Sequence, residues 1–199
     1  KKEVFLSVRD VVVLTGKPVR LEATLVEKAL LKPLGVGGEV IEFFVGKTSI
    51  GTAMTGGDGR AYLEHVPSLR GMLTLTAHVV DNPRTGTAQA AATLASLERR
   101  RPILLVDIAS LRSQEGEKGP SLLPFPVGQD ADVSPIPDAA QELKRLTDYY
   151  YYVIYVDWRE GQAGVSGGVG MFSSDVRGWL TRYHFPLGVV VSVKEGPAS

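Results

Sequence analysis

The chain has 199 residues, of which 44% are hydrophobic and 22% charged, so it is long enough for one large domain or two small ones. Its 22 basic and 22 acidic residues cancel, which argues against a nucleic-acid-binding surface or a polybasic membrane patch. The absence of cysteine excludes disulfides, thiolate nucleophiles and cysteine-ligated zinc. We find neither an apolar run long enough to span a membrane nor a leading signal peptide, which leaves cytoplasmic and exported locations both open.

Residues 1–97 predict an all-β sandwich. Apolar side chains at every second position from Val19 to Leu25 alternate with polar ones, which is the pattern of a strand with one buried face. Similar alternation recurs in residues 40–45, 59–65, 73–80 and 87–94. Glycine-rich turns separate these segments, and roughly seven strands are expected.

Three sequence segments in this half resemble bacterial immunoglobulin-like modules of invasin type: residues 16–25, residues 42–53 and residues 55–61. The resemblance implies an immunoglobulin-like fold and carries no catalytic chemistry. Such modules act as spacers, adhesive units or docking surfaces, so a protein partner is the expected ligand of this domain. On this half alone, an adhesin-like surface protein is a further interpretation.

Residues 97–102 interrupt the pattern with four charges and a proline, and we place the domain boundary there, giving domains 1–97 and 98–199. The joint contains no glycine or serine run, which predicts two domains that pack against each other. The arginines at 99–101 fit a solvated linker or an anion site beside the sheet.

The second half predicts a small α/β three-layer domain with a parallel sheet, either minimal or truncated. Residues 103–106 form an apolar run typical of a central strand covered on both faces, and Asp107 follows it. Helical spacing from residue 137 to 149, a strand at 151–158, a second helix around 176–183 and a strand at 189–193 complete a β-α-β-α-β order.

Asp107, Ala109 and Leu111 occupy the positions of Asp-x-Asp-x-Thr, so this half resembles the haloacid dehalogenase-like phosphatase superfamily. Residues 153–159, 176–180 and 184–188 are similar to its lipin-type phosphatidate phosphatase branch. The resemblance implies that Asp107 is the catalytic nucleophile and Lys194 holds the phosphoryl group. Asp157 and Arg159 would contact the substrate, and Mg²⁺ would be the cofactor.

Two substitutions weaken this assignment. Ala109 stands where the family has its general acid and base, and Asp157 stands where it has a hydroxyl. The acidic fourth motif is not reached before Ser199. We therefore expect a degenerate, non-catalytic domain that acts in binding or scaffolding. The alternative is a Mg²⁺-dependent phosphohydrolase that uses Asp107 as nucleophile.

Asp107 and Asp157 also fit a minimal Mg²⁺ site, since hard cations prefer carboxylate oxygens. Equally, Asp107 fits a simple turn acid and the pair fits two solvated strand ends. Residues 110–137 are long enough for a flap over such a site, or they form a plain surface loop. The glycine-rich residues 161–170 fit a phosphate cradle or a plain loop.

Overall fold

A computed structural model describes residues 3–27, 33–81, 84–113, 134–159 and 171–194. Nine strands lie in the first half of the described chain. In chain order they are β1 (Val4–Val8), β2 (Val11–Leu14), β3 (Val19–Glu27), β4 (Leu34–Gly35), β5 (Val40–Val45), β6 (Thr48–Met54), β7 (Arg60–His65), β8 (Gly71–Val79) and β9 (Gln89–Leu97).

These strands form two sheets. In one sheet β3 pairs with β1 along one edge and with β7 and β4 along the other, while the second sheet has the order β2-β9-β8-β5-β6. All ladders are antiparallel except that between β2 and β9. This order corresponds to strands A, B and E of an immunoglobulin domain facing strands A′, G, F, C and C′. The strand order thus confirms the immunoglobulin-like sandwich.

The sandwich core comes from the alternating apolar positions of both sheets. Phe43 and Ile41 of β5 belong to one buried cluster with Leu21 and Leu25 of β3, and all four are essentially inaccessible to solvent. The period-two alternation in the sequence marks these inward-facing rows.

The described residues of the second half form three parallel strands and two helices. They are β10 (Ile103–Asp107), α1 (Ala139–Tyr149), β11 (Tyr152–Arg159), α2 (Met171–Arg182) and β12 (Val189–Lys194), and a 3-10 turn (Ala109–Leu111) follows β10. The strands pair in the order β10-β11-β12, with Leu105 opposite Ile154 and Ile154 opposite Val189. We call this part the α/β unit.

Within the part of the unit that the structure describes, the three-layer prediction is wrong, because both helices pack on one face of the sheet. One apolar cluster joins Val153 and Tyr155 of β11 to Leu143 of α1 and to Val176 and Trp179 of α2. Strands taken in chain order with two right-handed crossovers place their helices on the same side. The sandwich covers part of the opposite face.

The expectation of a central strand at 103–106 is also wrong for the described residues. β10 lies at the edge of the sheet, with β11 as its ladder partner. Its even-numbered side chains face the helices, and Ile103 and Leu105 on the other face remain 45% and 67% exposed. A continuous apolar run does not distinguish an edge strand from a central one.

Candidate functional site

Asp107 ends β10 at the carboxyl edge of the parallel sheet, where α/β proteins commonly place their ligands. Its Oδ1 accepts a hydrogen bond from the backbone N–H of Ala109 at 3.0 Å. Its carbonyl oxygen accepts another from the Ser110 hydroxyl at 2.7 Å. Asp107 therefore closes the turn into the 3-10 segment, as the turn-acid interpretation expects.

The other predicted site residues follow on the neighbouring strands. Asp157 lies opposite Ser192, and Arg159 lies opposite Lys194 at the end of the ladder between β11 and β12. The parallel sheet thus brings all four positions to one edge. For Arg159 and Lys194 the structure describes only the backbone position. The catalytic and substrate-binding roles of the four residues stay predictions.

The strand register bears on the Mg²⁺ prediction. Asp107 lies opposite Val156, so pleat alternation assigns it to the face that carries Leu105, whereas Asp157 belongs to the face that carries Tyr155. Pleat alternation therefore does not itself bring the two carboxylates together, and the Mg²⁺ site stays a prediction. In the described part of the chain, no group of three or more acidic or histidine side chains is arranged to hold a metal ion.

A buried ionic network joins the sandwich to the α/β unit. Asp10, between β1 and β2, accepts hydrogen bonds from the backbone N–H of Thr93 at 2.8 Å and of Val190 at 2.7 Å. Both of its carboxylate oxygens also accept hydrogen bonds from the Arg177 guanidinium of α2. The side chains of Asp10 and Arg177 are only 8% and 18% exposed. Four hydrogen bonds from three donor groups thus meet one carboxylate at the junction.

Thr93 of β9 extends this network. Its hydroxyl donates to the carbonyl of Gly188 at 2.9 Å and accepts a hydrogen bond from Arg177 at 2.8 Å. An apolar cluster lies beside these contacts, formed by Met72, Ala95 and Leu97 of the sandwich with Tyr152, Ile154 and Val189 of the α/β unit. Polar and apolar contacts together hold the two halves against each other, as the short joint predicts.

Arg101 of the joint is bound rather than solvated. Its guanidinium donates to the carbonyls of Thr147, Tyr150 and Tyr151, at 2.6, 3.1 and 3.2 Å, and lies 4.5 Å from the centre of the Tyr152 ring. A cation at the carboxyl end of α1 satisfies its last carbonyls and complements the helix dipole. The linker interpretation of residues 99–101 is therefore wrong for Arg101.

A cavity of about 390 Å³ opens at the amino edge of the parallel sheet, opposite the edge that carries Asp107. Both halves line it: Gly71 and Met72 come from the sandwich, and Arg101, Lys144 and His184 from the α/β unit. This volume suits a small molecule, and such sites favour domain junctions. The charges of its rim are engaged with protein groups, since Lys144 pairs with Asp148 at 2.9 Å.

His184, on the rim of this cavity, has a positive φ of 60°. It follows α2, and the N–H of Phe185 donates to the carbonyl of Leu180 at 2.9 Å, which is the bond that closes a Schellman motif. The left-handed backbone of His184 therefore comes from the end of the helix and does not mark catalytic strain.

The sequence reasoning missed Asp10, Thr93 and Arg177. Asp10 gave no distinguishing sequence signal, because aspartate is an ordinary residue in a turn between two strands. The predicted flap and the predicted phosphate cradle lie outside the described residues over 114–133 and 160–170.

Comparisons with known proteins add little. No family model and no curated protein matches this chain. A CARDB domain from Pyrococcus furiosus, crystallised in complex with di-metal ions, is 19% identical over 49% of this chain and 88% of its own, with a TM-score of 0.33. A chimeric titin Z1Z2 carrying a decorin peptide is 21% identical over 46% of this chain and 88% of its own, with a TM-score of 0.30.

A cycloisomaltooligosaccharide glucanotransferase from Paenibacillus sp., complexed with cycloisomaltoheptaose, is 13% identical. It matches 94% of this chain and 27% of its own length, with a TM-score of 0.32. Likenesses this weak carry no argument about function. The immunoglobulin-like assignment rests on the strand order of the sandwich.

Proposed function

We propose that this chain is a non-catalytic binding protein in which an immunoglobulin-like interaction module is joined to a degenerate phosphatase-like α/β unit. The observation that carries the proposal is the hydrogen bond from the Ala109 N–H to the Asp107 carboxylate. The acid expected to attack phosphorus has a structural task, and Ala109 has no proton to transfer.

The parallel strand order β10-β11-β12, with Asp107 at the end of the first strand, supports descent of the α/β unit from the haloacid dehalogenase-like superfamily. The opposite faces assigned to Asp107 and Asp157 argue against retained metal-dependent hydrolysis. The unit would then serve as a rigid partner of the sandwich.

The outer face of the β1-β3-β7 sheet is the surface we assign to a protein partner. It points away from the α/β unit, which covers part of the other sheet instead. Tyr62 on this face is 38% exposed, and the Arg20 guanidinium lies 3.8 Å from the centre of its ring. Tyrosine and arginine, together with tryptophan, are enriched at the energetic centres of protein interfaces.

Hydrolysis of a generic aryl phosphate with millimolar Mg²⁺ tests the proposal, with wild type, Asp107→Asn and Asp107→Ala in parallel. We expect no turnover from any of them. Asn keeps an oxygen acceptor for the Ala109 N–H, so the Asn variant should unfold like wild type, whereas Ala should lose about 1 kcal/mol. Turnover by wild type that disappears in the Asn variant would establish Asp107 as a nucleophile and refute the proposal.

Mg²⁺ binding gives a second measurement. A ligand that binds only the native state raises its stability by RT ln(1 + [L]/Kd). We expect the same denaturation midpoint for wild type with and without Mg²⁺. A Mg²⁺-dependent rise that both Asp107→Asn and Asp157→Asn abolish would favour the phosphohydrolase alternative.

A further inference from the structure

The outer edge of β10 presents backbone groups to solvent. The ladder with β11 begins with Tyr152 N–H donating to the carbonyl of Pro102 and ends with Ile108 N–H donating to the carbonyl of Val156, both at 3.0 Å. In a parallel ladder such bonds use alternate residues, so the even-numbered residues of β10 face β11. The N–H and C=O groups of Ile103 and Leu105 consequently point outward.

Among the described residues, the interior of this edge, residues 103–106, carries no charge, proline or bulge that would protect it. Natural edge strands carry charges, prolines, bulges or covering segments that prevent further pairing. Residues 103–106 are Ile-Leu-Leu-Val, and among the described residues nothing pairs with their outer side. Leu105 is 67% exposed on the sheet face where Ile154 and Val189 pack against the sandwich. The exposed surface is thus a continuation of the existing interface between the two halves.

The edge is also complementary to itself. In an antiparallel pair of two β10 strands with the two-fold axis at Leu105, Leu105 meets Leu105, and Ile103 meets Asp107. These odd-numbered residues are those whose backbone groups point outward. The same register brings the acidic end of one strand towards the basic residues 99–101 that precede the other, and Arg99 and Arg100 are exposed. The chain carries no net charge, so two copies do not repel one another as a whole.

We propose that two copies of this chain associate through antiparallel pairing of their β10 strands, forming a continuous six-stranded sheet. Five-residue edges make a contact smaller than the roughly 1,000 Å² expected of a stable interface. The association is therefore weak and depends on concentration. This inference stands independently of the proposed function, because it uses neither the carboxyl edge nor a catalytic role.

Sedimentation velocity over a concentration series tests the pairing. We expect the weight-average mass of wild type to rise with concentration towards twice the monomer mass, and that of Leu105→Lys to stay at the monomer. Leu69→Lys is the matched control, because Leu69 is 63% exposed and lies outside β10; it should associate like wild type. Wild type that remains monomeric throughout, or Leu105→Lys that associates equally well, overturns the proposal.

The lack of native cysteine allows a direct test of the register. Hydrogen-bonded antiparallel residues have Cα atoms about 5.5 Å apart, within the range that a disulfide spans. Leu105→Cys should therefore form a disulfide-linked dimer on mild oxidation, whereas Leu69→Cys and Ile103→Cys should not. Equal dimer yields from the three variants would refute the register. Slow hydrogen exchange at the Leu105 amide of the dilute monomer would show that another segment of the chain covers the edge, which also refutes the proposal.

Discussion

Replacement of Asp10 by Asn should weaken the contact between the sandwich and the α/β unit and lower the stability of the protein. The amide keeps the size of the carboxylate, but only one of its two polar atoms accepts hydrogen bonds. Its NH₂ group would then face the N–H of Thr93 or Val190, each of which now donates to a carboxylate oxygen. The Arg177 guanidinium would also keep its charge at 18% exposure without the carboxylate that balances it.

Loss of one partner from a buried ion pair costs about 3–5 kcal/mol, mostly because the other charge stays buried. For a chain of this length, 1 kcal/mol shifts the melting temperature by about 2–4 °C, so Asp10→Asn should lower it by roughly 6–20 °C. Asp148→Asn is the control, because its partner Lys144 is exposed and such pairs contribute under about 1 kcal/mol.

Denaturant titration followed by two spectroscopic probes shows which half of the protein loses stability. Both tryptophans, Trp158 and Trp179, belong to the α/β unit, so their fluorescence reports its unfolding, while far-ultraviolet circular dichroism also reports the sandwich. Coincident wild-type transitions would show that the halves unfold together. In Asp10→Asn the fluorescence transition should move to lower denaturant. If Asp10→Asn costs no more than Asp148→Asn, our account of the junction is wrong.

Three further predictions concern single positions. Gly188→Ala should lower the free energy of unfolding by about 1–3 kcal/mol in a denaturant titration. The reason is that the added Cβ would lie 2.7 Å from the Tyr155 ring and 2.8 Å from the Val153 carbonyl. An unchanged denaturation midpoint would contradict this packing. His184→Gly should raise the melting temperature, because glycine adopts without strain a left-handed backbone that costs other residues about 1–2 kcal/mol. A lower melting temperature would refute the helix-end explanation. Burial lowers the pKa of His65, so the native state binds fewer protons than the unfolded chain below about pH 6.5. Stability should accordingly fall as the pH drops through that value, and His65→Gln should flatten this part of the profile in urea titrations between pH 8 and 5.

Much of the fold could be predicted from the sequence, because each half has its own characteristic pattern of apolar residues. Alternation in β3 and the apolar run of β12 identify those strands to within a residue or two of their observed ends. The three-layer arrangement was mispredicted because an apolar strand does not tell what covers each of its faces, and one face of β10 is largely exposed. The handedness of the crossovers predicts the correct placement of the helices, since two right-handed crossovers between sequential strands put α1 and α2 on one face of the sheet.

The candidate site was harder to predict from the sequence than the fold was. Asp107 was found because strand ends in parallel sheets are chemically informative, yet its hydrogen bond to Ala109 is a local turn contact that a motif match cannot distinguish from a nucleophile. Asp10 and Arg177 are 167 residues apart, and no local pattern links positions so distant. Arg101 looked like a linker residue because its three carbonyl partners come from the end of α1, nearly fifty residues later.

The chemistry of the junction indicates what its polar network contributes. A buried ion pair is often no more stabilising than apolar side chains of similar volume, and the apolar cluster around Leu97 and Tyr152 already supplies attraction. An apolar contact tolerates sliding, whereas Asp10 can accept all four hydrogen bonds in only one relative position of β9, β12 and α2. The network therefore sets the orientation of the α/β unit on the sandwich. That orientation fixes the cavity walls at the amino edge and, among the described residues, leaves the outer side of β10 without a pairing strand.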